Sequence, residues 1–199
     1  MSAVHLIALA STVSLLAGWR LYLVTFVVGL AMRLSWIALP QQLHALDVLE
    51  NNWIIGIAAV GAVAEFFADK IAWVDSLWDA IHTVVRPVGG ALLSMAIVDG
   101  ADPAWQVGSL LLGGGAALVA HAGKAGARAL VNASPEPFSN IVLSTGEDVA
   151  TAGLLGLAIA NPVAAAVIAV LLVAMSIWLL LAARRALKRF LEPKRRQAG

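Results

Sequence analysis

EFFADKIAWVDSLWDAIHTVVR, residues 65–86, interrupts an apolar chain with Glu65, Asp69, Lys70, Asp75, Asp79, His82 and Arg86. Strongly apolar sequence lies on both sides of it. Ionisable side chains at membrane depth are costly, so they are rare there and usually face a bundle interior or a wet cavity. Asp75, Asp79, His82 and Arg86 step by four, three and four positions, which places them on one face of one helix. The stretch therefore predicts a charged turn between two membrane helices, the second with a charged inner face. That face is the first candidate site.

The 199 residues are 61% hydrophobic and 13% charged. A soluble domain carries about 25% charged residues, so this composition points to an integral membrane protein. Arg184, Arg185, Lys188, Arg189, Lys194, Arg195 and Arg196 crowd into the last stretch of chain, directly after an apolar segment. A basic tail in that position reads as a cytoplasmic anchor beside anionic lipid and argues against nucleic acid as a partner. The absence of cysteine excludes disulfides, thiolate metal sites and cysteine nucleophiles. The opening MSAVHLIALASTVSLLAG lacks the Lys/Arg start of a secretory signal and runs on into apolar sequence, so it is expected to be a retained helix.

Six apolar segments follow, at about residues 5–33, 53–68, 76–98, 104–131, 138–160 and 163–183. Breakers between them are Pro40, the run from Asp99 to Pro103, Ser134-Pro135-Glu136-Pro137 and Asn161-Pro162. All but the second approach or exceed the roughly 20 residues that cross a bilayer core. The expected architecture is an all-α polytopic bundle of about six segments, with residues 1–183 one transmembrane domain and 184–199 a basic cytoplasmic tail. Lys/Arg placement puts both termini, and the loops with Lys70 and Arg86 and with Lys124 and Arg128, in the cytoplasm. Tryptophans agree, with Trp36, Trp53 and Trp105 at the outer interface and Trp73, Trp78 and Trp178 at the inner one.

The second and third segments form a hairpin with a charged turn, and so do the fourth and fifth. In the latter, His121, Lys124 and Arg128 share a face, and Asn140, Ser144, Glu147 and Thr151 repeat the spacing of Asp75, Asp79, His82 and Arg86. These hairpins are expected to be parallel-related, with a polar site between them, as in transporters built from repeats. Glu147 and its neighbour Asp148 point in different directions on a helix, so only Glu147 is expected in the site. Arg20, deep in the first segment, is expected to pair with Glu147 or Glu65, snorkel or hold an anion. The bland reading is that these charges merely tie the hairpins together.

Asp79, His82 and Glu65 are metal candidates by residue type, although no HExxH-like motif accompanies them. The residues leave any cofactor unassigned. Gly123-Lys124-Ala125-Gly126 lacks the spacing and Ser/Thr of a P-loop. Gly108, Gly115, Ala122 and Gly126 read as close-packing positions, and Gly89-Gly90 after Pro87 as a break in the third segment.

EFFADKIAWVDSLWDAIHTVVRP, HAGKAGARALVNASPEPFSN and the following EDV together resemble domain of unknown function family 4126. The likeness spans roughly residues 18–162. It implies a polytopic bacterial inner-membrane protein and brings no activity with it. The family pattern has a proline after Asp-Lys-Ile where this chain has Ala72.

The favoured function is a small transporter or channel for an ion or small polar solute. Glu65, Asp69, Asp75, Asp79 and Glu147 would handle a cation or proton, with Asn140 beside them. His82 and His121 would relay or ligate, and Arg20, Arg86, Lys124 and Arg128 would pair with the acids or bind an anionic group. The alternatives are a membrane enzyme acting on a lipid or isoprenoid phosphate, and a non-catalytic accessory subunit. Expected partners are the bilayer, the solute and a second copy of the chain.

Overall fold

The structure is a computed structural model that describes residues 3–36, 47–97, 103–132 and 138–191. Pro40, His44, the 98–102 and 133–137 connections and the tail beyond Leu191 lie outside the described residues. Six helices account for the six apolar segments: α1 (Ala3–Arg33), α2 (Asn52–Ala68), α3 (Ala72–Ile97), α4 (Pro103–Asn132), α5 (Phe138–Ala160) and α6 (Pro162–Leu191). The fold is an all-α helical bundle.

Stretches of α1, α3, α4 and α5 are long and apolar enough to cross a membrane, whereas α2 has only 17 residues. Exposed Val60, Val63, Leu112, Val149 and Leu171 give the bundle an apolar exterior suited to lipid. Trp36, Trp53, Trp73, Trp105 and Trp178 are exposed on that surface. Trp78 is not, because it stacks on His82 inside.

Local chemistry sets the helix ends. Asn51 caps α2 by accepting from Trp53 N at 2.9 Å, and Asn161 caps α6 by accepting from Ala164 N at 3.1 Å. Pro162 follows at the first helical position, where its missing N–H costs nothing. α1 ends in a Schellman turn, with Ser35 at positive φ and Trp36 N donating to Ala31 O.

α1 is the hub and packs on all five other helices. The expected hairpins are splayed: α3 packs chiefly on α4, while α2 with α3 and α4 with α5 touch little. Inside α1, Arg20 leaves the helical region at φ −143° and ψ 69°, so the helix breaks there. The break changes the expected topology. Ile7 and Ser11 line a cavity with Ser94, Trp105 and Ser109, Ser14 bonds Gly90 O, and Trp19 O meets Lys124. The first half of α1 therefore runs parallel to α4 and antiparallel to α3. It starts at the end of the bundle away from Lys124 and arrives there at Arg20. Beyond Arg20 the chain leaves along α2, with Gly61 against Tyr22 and Gly29 against Leu49. The N-terminal end of α1 thus lies opposite the charged end instead of beside it.

The close approaches also differ from expectation. A Cβ on Gly18 would meet the Ala117 backbone, and one on Gly113 would meet Ser94, so these positions let α1, α3 and α4 touch. Gly108 and Gly115 face open space and Ala122 is exposed. α3 stays one helix through Pro87, and Gly90 packs against Ala117 without breaking it.

Candidate functional site

Among the described residues eight charged side chains are almost wholly buried: Arg20, Arg86, Lys124 and Arg128 against Glu65, Asp69, Asp75 and Asp79. Removing an ion from water costs several kcal/mol, so such a set survives only with close partners. The partners fall into two centres.

In the first, Arg86 on α3 is the cation. Its Nη2 donates to Glu65 Oε1 on α2 at 2.7 Å, and its Nη1 donates to Asp79 Oδ1 at 2.9 Å and to His121 Nδ1 at 2.7 Å. Arginine can only donate, so His121 Nδ1 accepts and the ring proton sits on Nε2. That nitrogen lies 3.1 Å from Thr83 Oγ1 and 3.2 Å from Asp79 O. The α3 face predicted from spacing is what aims Asp79 and Arg86 inward together.

In the second, Asp69 in the turn after α2 is the anion. Its Oδ2 accepts from Lys124 Nζ at 3.0 Å and Arg128 Nη2 at 3.2 Å, and pairs with Arg20 Nη1. Arg128 also grips Glu147 through two nitrogens, at 2.8 and 3.4 Å. Its Nη1 lies 3.6 Å from Asp75 Oδ1. The Asp69 carbonyl is held separately by Arg128 Nη1 at 2.8 Å and Asn140 Nδ2 at 3.1 Å. Burial alone would push the Asp69 carboxyl up, but Lys124, Arg20 and Arg128 outweigh it and hold the group below its ordinary value. Lys124 Nζ also donates to Trp19 O at 3.1 Å, which satisfies a carbonyl released where α1 breaks.

The rim of this centre corrects one expectation. Asp148, set aside on helical geometry, pairs with Arg20 Nη2 at 2.9 Å, while Glu147 lies 3.7 Å from the same nitrogen. Both acids reach because Arg20 is long and lies against the α5 backbone, bonding Ser144 O at 3.2 Å. Lys70 completes the rim, 3.2 Å from Ser144 Oγ.

His82 stands apart. Its Nδ1 donates to Trp78 O at 2.7 Å and its Nε2 accepts from Tyr22 Oη at 3.1 Å. The metal candidates Glu65, Asp79 and His82 are thus not gathered: the two acids hold Arg86, and His82 is committed elsewhere. Among the described residues no group of three potential ligands is placed to hold a metal.

The network is incomplete at the atomic level. Glu65 Oε2, Asp69 Oδ1, Arg86 Nε and Arg20 Nε are buried without a hydrogen-bond partner.

Residues 7–182 match the family described as domain of unknown function (DUF4126). The chain belongs to this family. No curated protein and no solved structure matches it. Ala72 opens α3, a position that tolerates proline and does not require it. The turn before it is held by Lys70 N and Ile71 N bonding Phe67 O and Ala68 O.

Proposed function

We propose that the protein is a small membrane transporter or channel for an ion or small polar solute, with its polar site at the charged end of the bundle. One observation carries this reading. Glu65 Oε2 and Asp69 Oδ1, one turn apart, are buried beside Arg86 and Arg20 and accept no hydrogen bond from another protein group. A network that served only to fasten helices would gain by satisfying those atoms, since each unmet buried polar group costs about 1–3 kcal/mol. A proton, a cation or a donor group of a polar solute, such as the O–H of a hydrogen phosphate, would meet them. The break at Arg20 supports the same reading, because irregular backbone at membrane depth is tolerated where it lines a cavity or is buried in protein. In this reading the protein resides in a bacterial inner membrane. Residues 1–183 form its transmembrane domain, and the charged end and basic tail face the cytoplasm.

The test is flux into proteoliposomes, screened over monovalent ions, protons and small polar solutes. Glu147→Gln and Asp148→Asn, at the partly exposed rim where the cations can exchange partners, are expected to abolish flux while membrane abundance stays near normal. Disappearance of both variants from the membrane would assign these acids to folding instead.

A further inference from the structure

Three cations, Arg20 from α1 and Lys124 and Arg128 from α4, converge on a single oxygen, Asp69 Oδ2. Each is almost wholly buried. Two guanidinium forks and one ammonium around one carboxylate oxygen form an arrangement suited to a carboxylate or a phosphoryl group. Here the carboxylate belongs to the chain itself, and three features mark it as replaceable. Asp69 lies in the turn between α2 and α3, outside either helix. Its main chain is tethered independently, through its carbonyl to Arg128 and Asn140. Its second oxygen, Oδ1, is buried and accepts no hydrogen bond from a protein group. The three cations keep other counter-charges when the Asp69 side chain withdraws: Glu147 and Asp75 near Arg128, Glu147 near Lys124, and Asp148 and Glu147 near Arg20. Lys70 and Ser144 lie beside Asp148 and Arg20.

We propose that Arg20, Lys124 and Arg128 form a binding site for a small anion bearing a carboxylate or phosphoryl group, and that Asp69 is its tethered internal occupant. This rests on the transport reading and narrows its solute to an anion that enters by displacing the Asp69 side chain. A site occupied by its own side chain binds an outside ligand more weakly, in proportion to the time it stands open. Removing the carboxylate therefore strengthens binding.

The experiment measures acetate and inorganic phosphate binding to purified protein in detergent micelles, against chloride at equal ionic strength. Asp69→Asn is expected to bind one of the two saturably and at least about tenfold more tightly than the unaltered chain. Adding Arg128→Gln is expected to remove that gain. Which anion responds separates carboxylate from phosphoryl chemistry. Equal affinities with and without the Asp69 carboxylate, or a gain that survives Arg128→Gln, overturns the proposal. If Asp69→Asn fails to fold, recovery of folded protein on adding acetate or phosphate supports the site, and no recovery counts against it. Binding without flux would leave the site standing and reject transport, whereas flux with no anion binding would do the reverse.

Discussion

Arg86 is a single guanidinium among Glu65, Asp79 and His121, whereas Asp69, one turn along from Glu65, is a single carboxylate among Arg20, Lys124 and Arg128. The two centres are opposite in sign and differ in redundancy. The two acids around Arg86 are nearly sealed from solvent and pair with no other cation among the described residues. The cations around Asp69 also reach Glu147 and Asp148, which are 13% and 22% exposed at the rim. A sealed pair with no substitute acts as a clamp; a pair with spare partners can exchange them. Exchange without a stranded charge is what a moving ion site requires.

The comparison breaks first at Arg86. Arg86→Gln leaves Glu65 and Asp79 buried without their cation and is expected to cost about 3–5 kcal/mol, read from unfolding in mixed micelles. A loss below that of Asp69→Asn would reverse the assignment of clamp and exchanger. Asp69→Asn is expected to cost less, roughly 2 kcal/mol, because the rim acids remain. It should also alter the acid limb of stability. The folded Asp69 carboxyl is held below its ordinary value, so its contribution is full above that value and disappears as pH falls through the lowered one. The unaltered chain should therefore lose stability on acidification more steeply than Asp69→Asn. Lys70→Ala is the smallest change, at most about 1 kcal/mol, since Lys70 is partly exposed over Phe66 and its partner Asp148 keeps Arg20.

Much of this site was legible as helical spacing. Asp75, Asp79, His82 and Arg86 all turn inward on α3, and His121, Lys124 and Arg128 do so on α4, because a charge on the lipid face would be unpaired. Asn140, Ser144 and Thr151 are likewise buried on α5. Arg20 was legible as a charge that needed acids. Of its partners Glu147 was among those expected, but Asp69 and Asp148 were not, since they come from the α2–α3 turn and from another face of α5, and long side chains ignore the face on which a Cα sits. The same reach brought in Asp148, which spacing had excluded. The helix break had no local signal: neither proline nor a glycine pair marks Trp19-Arg20, while Pro87 and Gly89-Gly90 advertised a break that tertiary packing suppressed. That hidden break also misled the topology, because residue counts assume each apolar segment crosses straight.

The position of Arg20 has a consequence for biogenesis. The first helix carries a cation whose counter-ions Asp69 and Asp148 are synthesised only later, and an unpaired arginine in an apolar helix costs up to about 3 kcal/mol to insert. Arg20 therefore has its full set of counter-ions only once α5 has been made.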